Sequence, residues 1–402
     1  MFAPRICALI WRRRTVTFAA EGDTDMPKLA FALFALILLG GLWGLYRTPP
    51  APTIGGDLHL AAIAPGGATD TPHLVAIQPW MRTGDYRSAA TLEHRLNAYL
   101  SHARDAGLLS PGSVVVMPEH IGTWLVAADA PAASYSAGTT TDAMTHLILA
   151  NPLPFAAAFL RSGEEDQMAA AVFRMRGARM ARDYQRVFAH LAARYAVTLV
   201  GGSIVLPDPQ VRDGRLIAGR GPLYNVSAVF QADGSIDRDL VRKVHPIPDE
   251  AGFTAAAPVD TLPVFNTPAG RLGVLICADS WHPDVYTALR EGGADIIAVP
   301  AFLQPSDVWD QPWGGYTTGW PDDVDQSLIA RHTEGDAWMS YSLGHRLFST
   351  DARWGATAFM RGELWDLGSD GANILVAGDT AWVAGQLDGA SISALPLPAS
   401  SP

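Results

Sequence analysis

The stretch "LGVLICADSWHP", Leu272 to Pro283, places Cys277 where an apolar run stops and polar residues begin. Two more reactive side chains hold comparable positions: Glu119 closes "VVVMPE", and Lys243 follows the segment "NVSAVFQADGSIDRDLVR". A thiol needs a base to become a thiolate, and a carboxylate can take its proton. An ammonium stabilises both the thiolate and a developing oxyanion. Alone, a cysteine is most often packing material, and a lysine or glutamate a solvated charge. Together, at the ends of neighbouring strands, the three make a nucleophile, a base and an oxyanion partner. Ser280 in "CADSWHPDVYTAL" is the expected N-cap of a helix carrying Val285 and Leu289. The positive end of that helix would lower the thiol's pKa, and the Ala278 N–H would serve as oxyanion donor.

The elements that must position these residues alternate between strand and helix. "HLVAIQP" and "GSVVVMPE" read as buried strands, separated by a helix with Leu92, Leu96, Tyr99, Leu100 and Ala103 on one face. Met180, Tyr184, Val187, Phe188, Leu191 and Tyr195 mark a second helix, followed by a strand "VTLVGGSIV". Asp233-Gly234 supplies the turn of a hairpin. "RLGVLIC", a helix from Pro283 to Glu291, the strand "ADIIAVP", a Trp-rich loop from Phe302 to Trp320 and a helix reaching Glu334 follow. Short strands near Gly355–Met360 and Asn373–Val376 end the pattern. This rhythm predicts layered α/β architecture with sites at the carboxyl ends of strands.

These segments resemble, in content and order, the nitrilase or carbon-nitrogen hydrolase superfamily. The resemblance implies an α/β four-layer α-β-β-α sandwich over 70–395, with dimerisation through a helical face. It carries the catalytic set onto Glu119, Lys243 and Cys277, and a second glutamate onto Glu250 in "HPIPDE". By the same resemblance Trp309 and Trp313 of the Trp-rich loop fall where pocket walls are expected, and Trp281 and His282 lie beside the nucleophile. Glu119 and Lys243 are 124 positions apart. That interval exceeds the family's usual spacing by about one supersecondary unit, which matches an apolar insertion at about 120–180. Ala278-Asp279, where nitrilases favour an aromatic and then Glu, points to amides over nitriles.

Residues 29–46 carry no charge, a length that at about 1.5 Å per residue nearly matches a bilayer core. Arg5, Arg12, Arg13, Arg14 and Lys28 precede them, so the segment is expected to be an uncleaved single-pass anchor with 1–28 cytoplasmic; a cleavable signal peptide is the rival reading, against which "RTPPAPTIGG" offers no clear A-x-A site. The Pro/Gly linker 47–69 would then lead to a catalytic domain on the periplasmic side of the inner membrane. Met26 offers an alternative start, leaving 1–25 untranslated. On opposite sides of a membrane, Cys7 and Cys277 could not pair, which leaves Cys277 a free thiol. The net charge of -11 and absence of a basic stripe exclude the footprint of a nucleic-acid binder. No spacing fits H-E-x-x-H or a Cys/His finger, so neither metal nor cofactor is expected. Asn225-Val226-Ser227 forms a glycosylation sequon inside an expected strand and carries no functional expectation.

The expected function is hydrolysis of a non-peptide amide, small or lipid-like, through a Cys277 thioester. Two alternatives stand beside it. An N-acyltransferase of the apolipoprotein N-acyltransferase type would use the same three residues, and a catalytically silent binding protein would keep only the fold. Nothing in a binding role requires the thiol.

Overall fold

The computed structural model describes residues 31, 33, 34, 36, 37, 40, 58–62, 71–317, 319–384 and 389–398. Met1–Tyr46 and Arg47–Pro402 are separate compact units. Of the expected anchor only positions 31, 33, 34, 36, 37 and 40 are described, each helical; the remainder, and 47–57 and 63–69 of the expected linker, lie outside the described residues, while Leu58–Ala62, expected as linker, form a strand of the first sheet. Among the described residues no helix is long and apolar enough to cross a membrane.

Period-2 alternation builds the second unit. In the strand His73–Gln78, Val75 and Ile77 join the core formed with the helices Ala89–Asp105 and Gln167–Tyr195. Leu74 and Ala76 face the other way, into a core shared with Leu272, Val274, Ile296 and Ala298 of a second sheet. The first sheet has six strands in the order Leu58–Ala62, Ala390–Pro396, His73–Gln78, Val114–Val116, Thr198–Val200 and Val229–Phe230. The second runs Val264–Thr267, Gly270–Val274, Ile296–Ala301, Trp354–Phe359, Ile374–Ala377, Thr380–Val383. On its outer side, Leu289 of the helix Pro283–Glu291 covers Gly273 so closely that a Cβ there would lie 2.8 Å from the leucine. The layers are thus helix, sheet, sheet, helix. Both sheets have parallel centres, Val114–Val116 flanked in parallel by its neighbours and Ile296–Ala301 likewise.

Several elements depart from the expected pattern for local reasons. "VTLVGGSIV" is two strands, Thr198–Val200 and Ile204–Pro207, because the chain turns at Gly201-Gly202 with Gly202 at φ +65. The hairpin strand also splits: Leu223–Ser227 pairs with Ile204–Pro207 and Val241–Arg242 in a three-stranded sheet, while Val229–Phe230 crosses to the six-stranded one. The helix expected to reach Glu334 instead begins there and runs to Tyr341, capped by Thr333. The insertion forms two helices of an arm, Thr140–Ala150 and Pro152–Phe159, broken by Asn151-Pro152. It returns into the helix Gln167–Tyr195, whose N-terminus is capped by Asp166.

Candidate active site

Strand ends deliver the reactive groups. Val114–Val116 runs into Met117-Pro118-Glu119, Val241–Arg242 into Lys243, and Gly270–Val274 into Leu275-Ile276-Cys277. All three side chains are buried, together with Glu250 from the short helix Pro248–Ala251. Lys243 Nζ donates to Glu119 Oε1 at 2.8 Å and to Glu250 Oε2. Burial pulls the Lys243 ammonium down, but the charges of Glu119, Glu250 and Cys277 outweigh it and hold it well above its usual value. Burial likewise pushes Glu250 up, yet Lys243 and His120 hold it well below the ordinary carboxylate range.

Cys277 has φ +48, a left-handed backbone that costs a non-glycine residue energy and turns its side chain out of the strand line. Its Sγ donates to the Phe302 carbonyl at 3.7 Å, at the end of the adjacent strand Ile296–Ala301. Burial pushes the thiol well up, the Glu119 charge adds to this, and Lys243 opposes it. The expectation of a thiol activated by a helix N-terminus is therefore corrected. Ser280 caps no helix: its hydroxyl donates to the Cys277 carbonyl at 2.7 Å, and His282 holds the N-cap position with no side-chain cap. Ala278, half-buried, follows the nucleophile in the turn Cys277–Trp281.

Three further residues organise the site. Asn225 Nδ2 donates to Glu119 Oε1 at 2.9 Å and to Glu250 Oε1 at 2.8 Å, spanning the two carboxylates opposite the ammonium. His120 Nε2 lies 3.2 Å from Glu250 Oε1, and its Nδ1 hydrogen-bonds with the Thr123 hydroxyl. Asp279 accepts from the N–H groups of Ile276, Val244 and His245, so one buried carboxylate ties the cysteine turn to the lysine turn. Burial pushes Asp279 up to about 7, against the pull of Lys243. Asn225 was visible in the sequence only as part of a sequon, and Asp279 only as a departure two residues after the nucleophile.

A cavity of about 440 Å³ opens over Glu119, Lys243 and Glu250. Its apolar walls come from the arm, Met144 and Ile148, and from Val172, Phe173 and Phe253; Asp166 and Asp249 also line it. Trp281, His282, Trp309 and Trp313, expected at the pocket, are not among its lining residues, and neither are Cys277 and Ala278. Trp281 packs on Trp338 and Trp313 on Tyr341, with ring centroids 4.9 and 5.2 Å apart, and Trp309 meets Phe359. The loop spends its aromatic area sealing the core. His282 stacks on His245, and burial with the His245 charge pushes it down to about 4. Ligand atoms of Glu119, His120 and Glu250 lie within 4.8 Å of one another, a spacing a cation could bridge, but the Lys243 ammonium already sits between the two carboxylates.

Residues 154–343 match the family model of the carbon-nitrogen hydrolases, a span that contains Lys243, Glu250 and Cys277 and leaves Glu119 ahead of it. The chain is 30% identical over 118 residues to a probable hydrolase YhcX of Bacillus subtilis, covering 29% of this chain and 20% of that protein. It is 38% identical over 90 residues to the N-carbamoylputrescine amidase of Solanum tuberosum, 21% of this chain and 29% of the relative. With the deaminated glutathione amidase of Yersinia enterocolitica it shares 31% over 125 residues, 29% of this chain and 41% of the relative. The matches thus span well under half of these curated relatives. Among solved structures it is similar to an amidase from Nesterenkonia sp. AN1 in complex with acrylamide, with TM-score 0.48, 14% identity, and 83% of this chain and 94% of that one covered. The match to the carbon-nitrogen hydrolase family model thus covers a little under half of the chain and includes the buried Lys243, Glu250 and Cys277.

Proposed function

We propose that the protein hydrolyses a non-peptide amide through a Cys277 thioester. The observation that carries this reading is the buried ammonium of Lys243, held between Glu119 and Glu250 and charge-coupled to the thiol. The resting thiol keeps its proton because burial disfavours the thiolate. Glu119 takes that proton as sulfur attacks the amide carbon, and negative charge moves to the carbonyl oxygen. Lys243 and the Ala278 N–H stabilise this oxyanion. Collapse breaks the C–N bond, and Glu119 hands the proton to the departing amine. Water, deprotonated by Glu119, then attacks the thioester, releasing the acid and restoring the thiol. Names among the relatives, N-carbamoylputrescine amidase and deaminated glutathione amidase, support a small non-peptide amide as the class of substrate. The uncharged segment 29–46 with its basic flank supports anchoring to a membrane, the catalytic unit lying outside the cytoplasm.

Intact mass of the full chain after exposure to a panel of short N-acyl amides tests the chemistry. The expected result is a hydroxylamine-sensitive acyl adduct on Cys277 that water alone discharges, absent in Cys277→Ala, with iodoacetamide labelling of Cys277 that depends on Glu119. Turnover that survives in Cys277→Ala overturns the reading. An adduct that persists in water and discharges only to an added amine would instead support acyl transfer.

A further inference from the structure

The arm exposes apolar surface in an amount unusual for a water-facing helix. Every residue of the helix Pro152–Phe159, "PLPFAAAF", is apolar, and only Ala158 is buried. Leu149, Leu153 and Leu160 are 70%, 81% and 85% exposed, forming a ridge across both arm helices and the turn beyond. The same first helix turns Ala143 and Leu147 into the core and Met144 and Ile148 into the catalytic cavity. The ridge is therefore the outer side of the wall whose inner side lines the site.

Directly beneath it lies a second cavity of about 260 Å³. Pro154, Ala157 and Met175 supply apolar lining, Arg161, Arg174 and Arg220 supply three cations, and no acidic side chain lines it. Arg174 gives its terminal nitrogens to Glu164 and to the carbonyls of Arg220 and Gly221, but its buried Nε has no hydrogen-bond partner. Protruding leucines flanked by the exposed cations Arg161 and Arg220 complement a surface that is apolar at depth and anionic at its face.

We infer that the arm, residues 140–161, rests on a lipid bilayer through Leu149, Leu153 and Leu160, with Arg161 and Arg220 receiving anionic headgroups. This rests on the proposed membrane anchoring but not on the chemistry at Cys277. The test uses the full chain carrying Cys7→Ser and Cys277→Ala, labelled with a thiol-reactive nitrobenzoxadiazole at Leu153→Cys, at Leu160→Cys, or at Asp379→Cys in an exposed turn of the second sheet as control. Because the nucleophile is absent, loss of amidase activity and failure of the docking reading are separate results. In phosphatidylcholine vesicles containing phosphatidylglycerol, emission at 153 and 160 should rise several-fold over detergent and be quenched by more than half by nitroxide-labelled lipid. The control should change by less than a quarter. Adding Arg161→Glu with Arg220→Glu should remove the dependence on phosphatidylglycerol. Labels at 153 and 160 that behave like the control, or a chain that does not associate with vesicles, overturn the inference. So does shielding of the ridge in detergent with a doubled mass, which would assign it to a second copy.

Discussion

At the scale of residues, the site is a balance of buried charge: two carboxylates, one ammonium and a neutral thiol. Asn225 completes it, since each carboxylate accepts from its amide: on Glu119 it shares Oε1 with Lys243, and on Glu250 it takes Oε1 while Lys243 takes Oε2. Asn225→Ala removes two charge-assisted hydrogen bonds and leaves both acids short of a donor. A hydrogen bond to a charged group contributes about 1.5–3 kcal/mol, so kcat/KM should fall tenfold to a hundredfold. A positioning role also predicts that kcat per active site falls with KM little changed; a merely structural residue would lower the amount of folded enzyme and leave both constants per active site in place. Steady-state kinetics normalised by active-site titration separate the two.

At the scale of elements, the Glu119 strand end depends on the turn that follows the adjacent strand, Thr198–Val200. Gly202 sits at φ +65, and a Cβ on it would lie 2.1 Å from the carbonyl oxygen of Pro118, the residue before Glu119. Gly202→Ala should lower stability by at least about 1–2 kcal/mol from the left-handed backbone alone. It should also depress kcat, because relief of the contact moves Glu119; calorimetry beside turnover measures both. These dependences also mark what could be read from sequence. Apolar runs ending in Glu119 and Cys277 advertise buried strands with a polar tip, and the tips are where chemistry lies. The Trp-rich loop misled because aromatic residues suit a pocket wall and a sealed core equally, and composition does not say which way they point. Asn225 was hidden because its partners, Glu119 and Glu250, lie 106 and 25 positions away, beyond a strand of another sheet and in a short helix. The arm was legible as apolar and unplaced, and only the fold showed that it divides its residues among core, cavity and solvent.

At the scale of the whole molecule, the buried charges set the pH range of stability. Glu250 is held below the value near 4.5 of a free glutamate, so its contribution is present above that pH and lost as pH falls through the depressed value. Cys277 is held above the value near 9.0 of a free thiol, so the unfolded chain ionises first and stability declines as pH rises beyond it. Inside this window His282, pushed down to about 4, removes stability as pH falls below its free value of 6.5, and Asp279, pushed up to about 7, removes stability as pH rises from its free value of 3.8. Glu250→Gln leaves Lys243 with Glu119 as its one carboxylate partner, so it should lower the thermal midpoint near neutral pH and flatten the acid limb; a limb unchanged in that variant would assign acid sensitivity elsewhere. The same molecule is closed by one late element. The strand Ala390–Pro396 lies inside the first sheet, parallel to Leu58–Ala62 on one side and antiparallel to His73–Gln78 on the other. During synthesis, His73–Gln78 therefore waits with an open edge until more than 300 later residues have been made. The nucleophile, the lysine and both glutamates are all translated before the sheet beneath them can close, so a chain interrupted after Cys277 holds every reactive group and no finished scaffold. Assembly of the site is in that sense a check on completeness: the reactive thiol is framed only in a chain whose final strand has arrived.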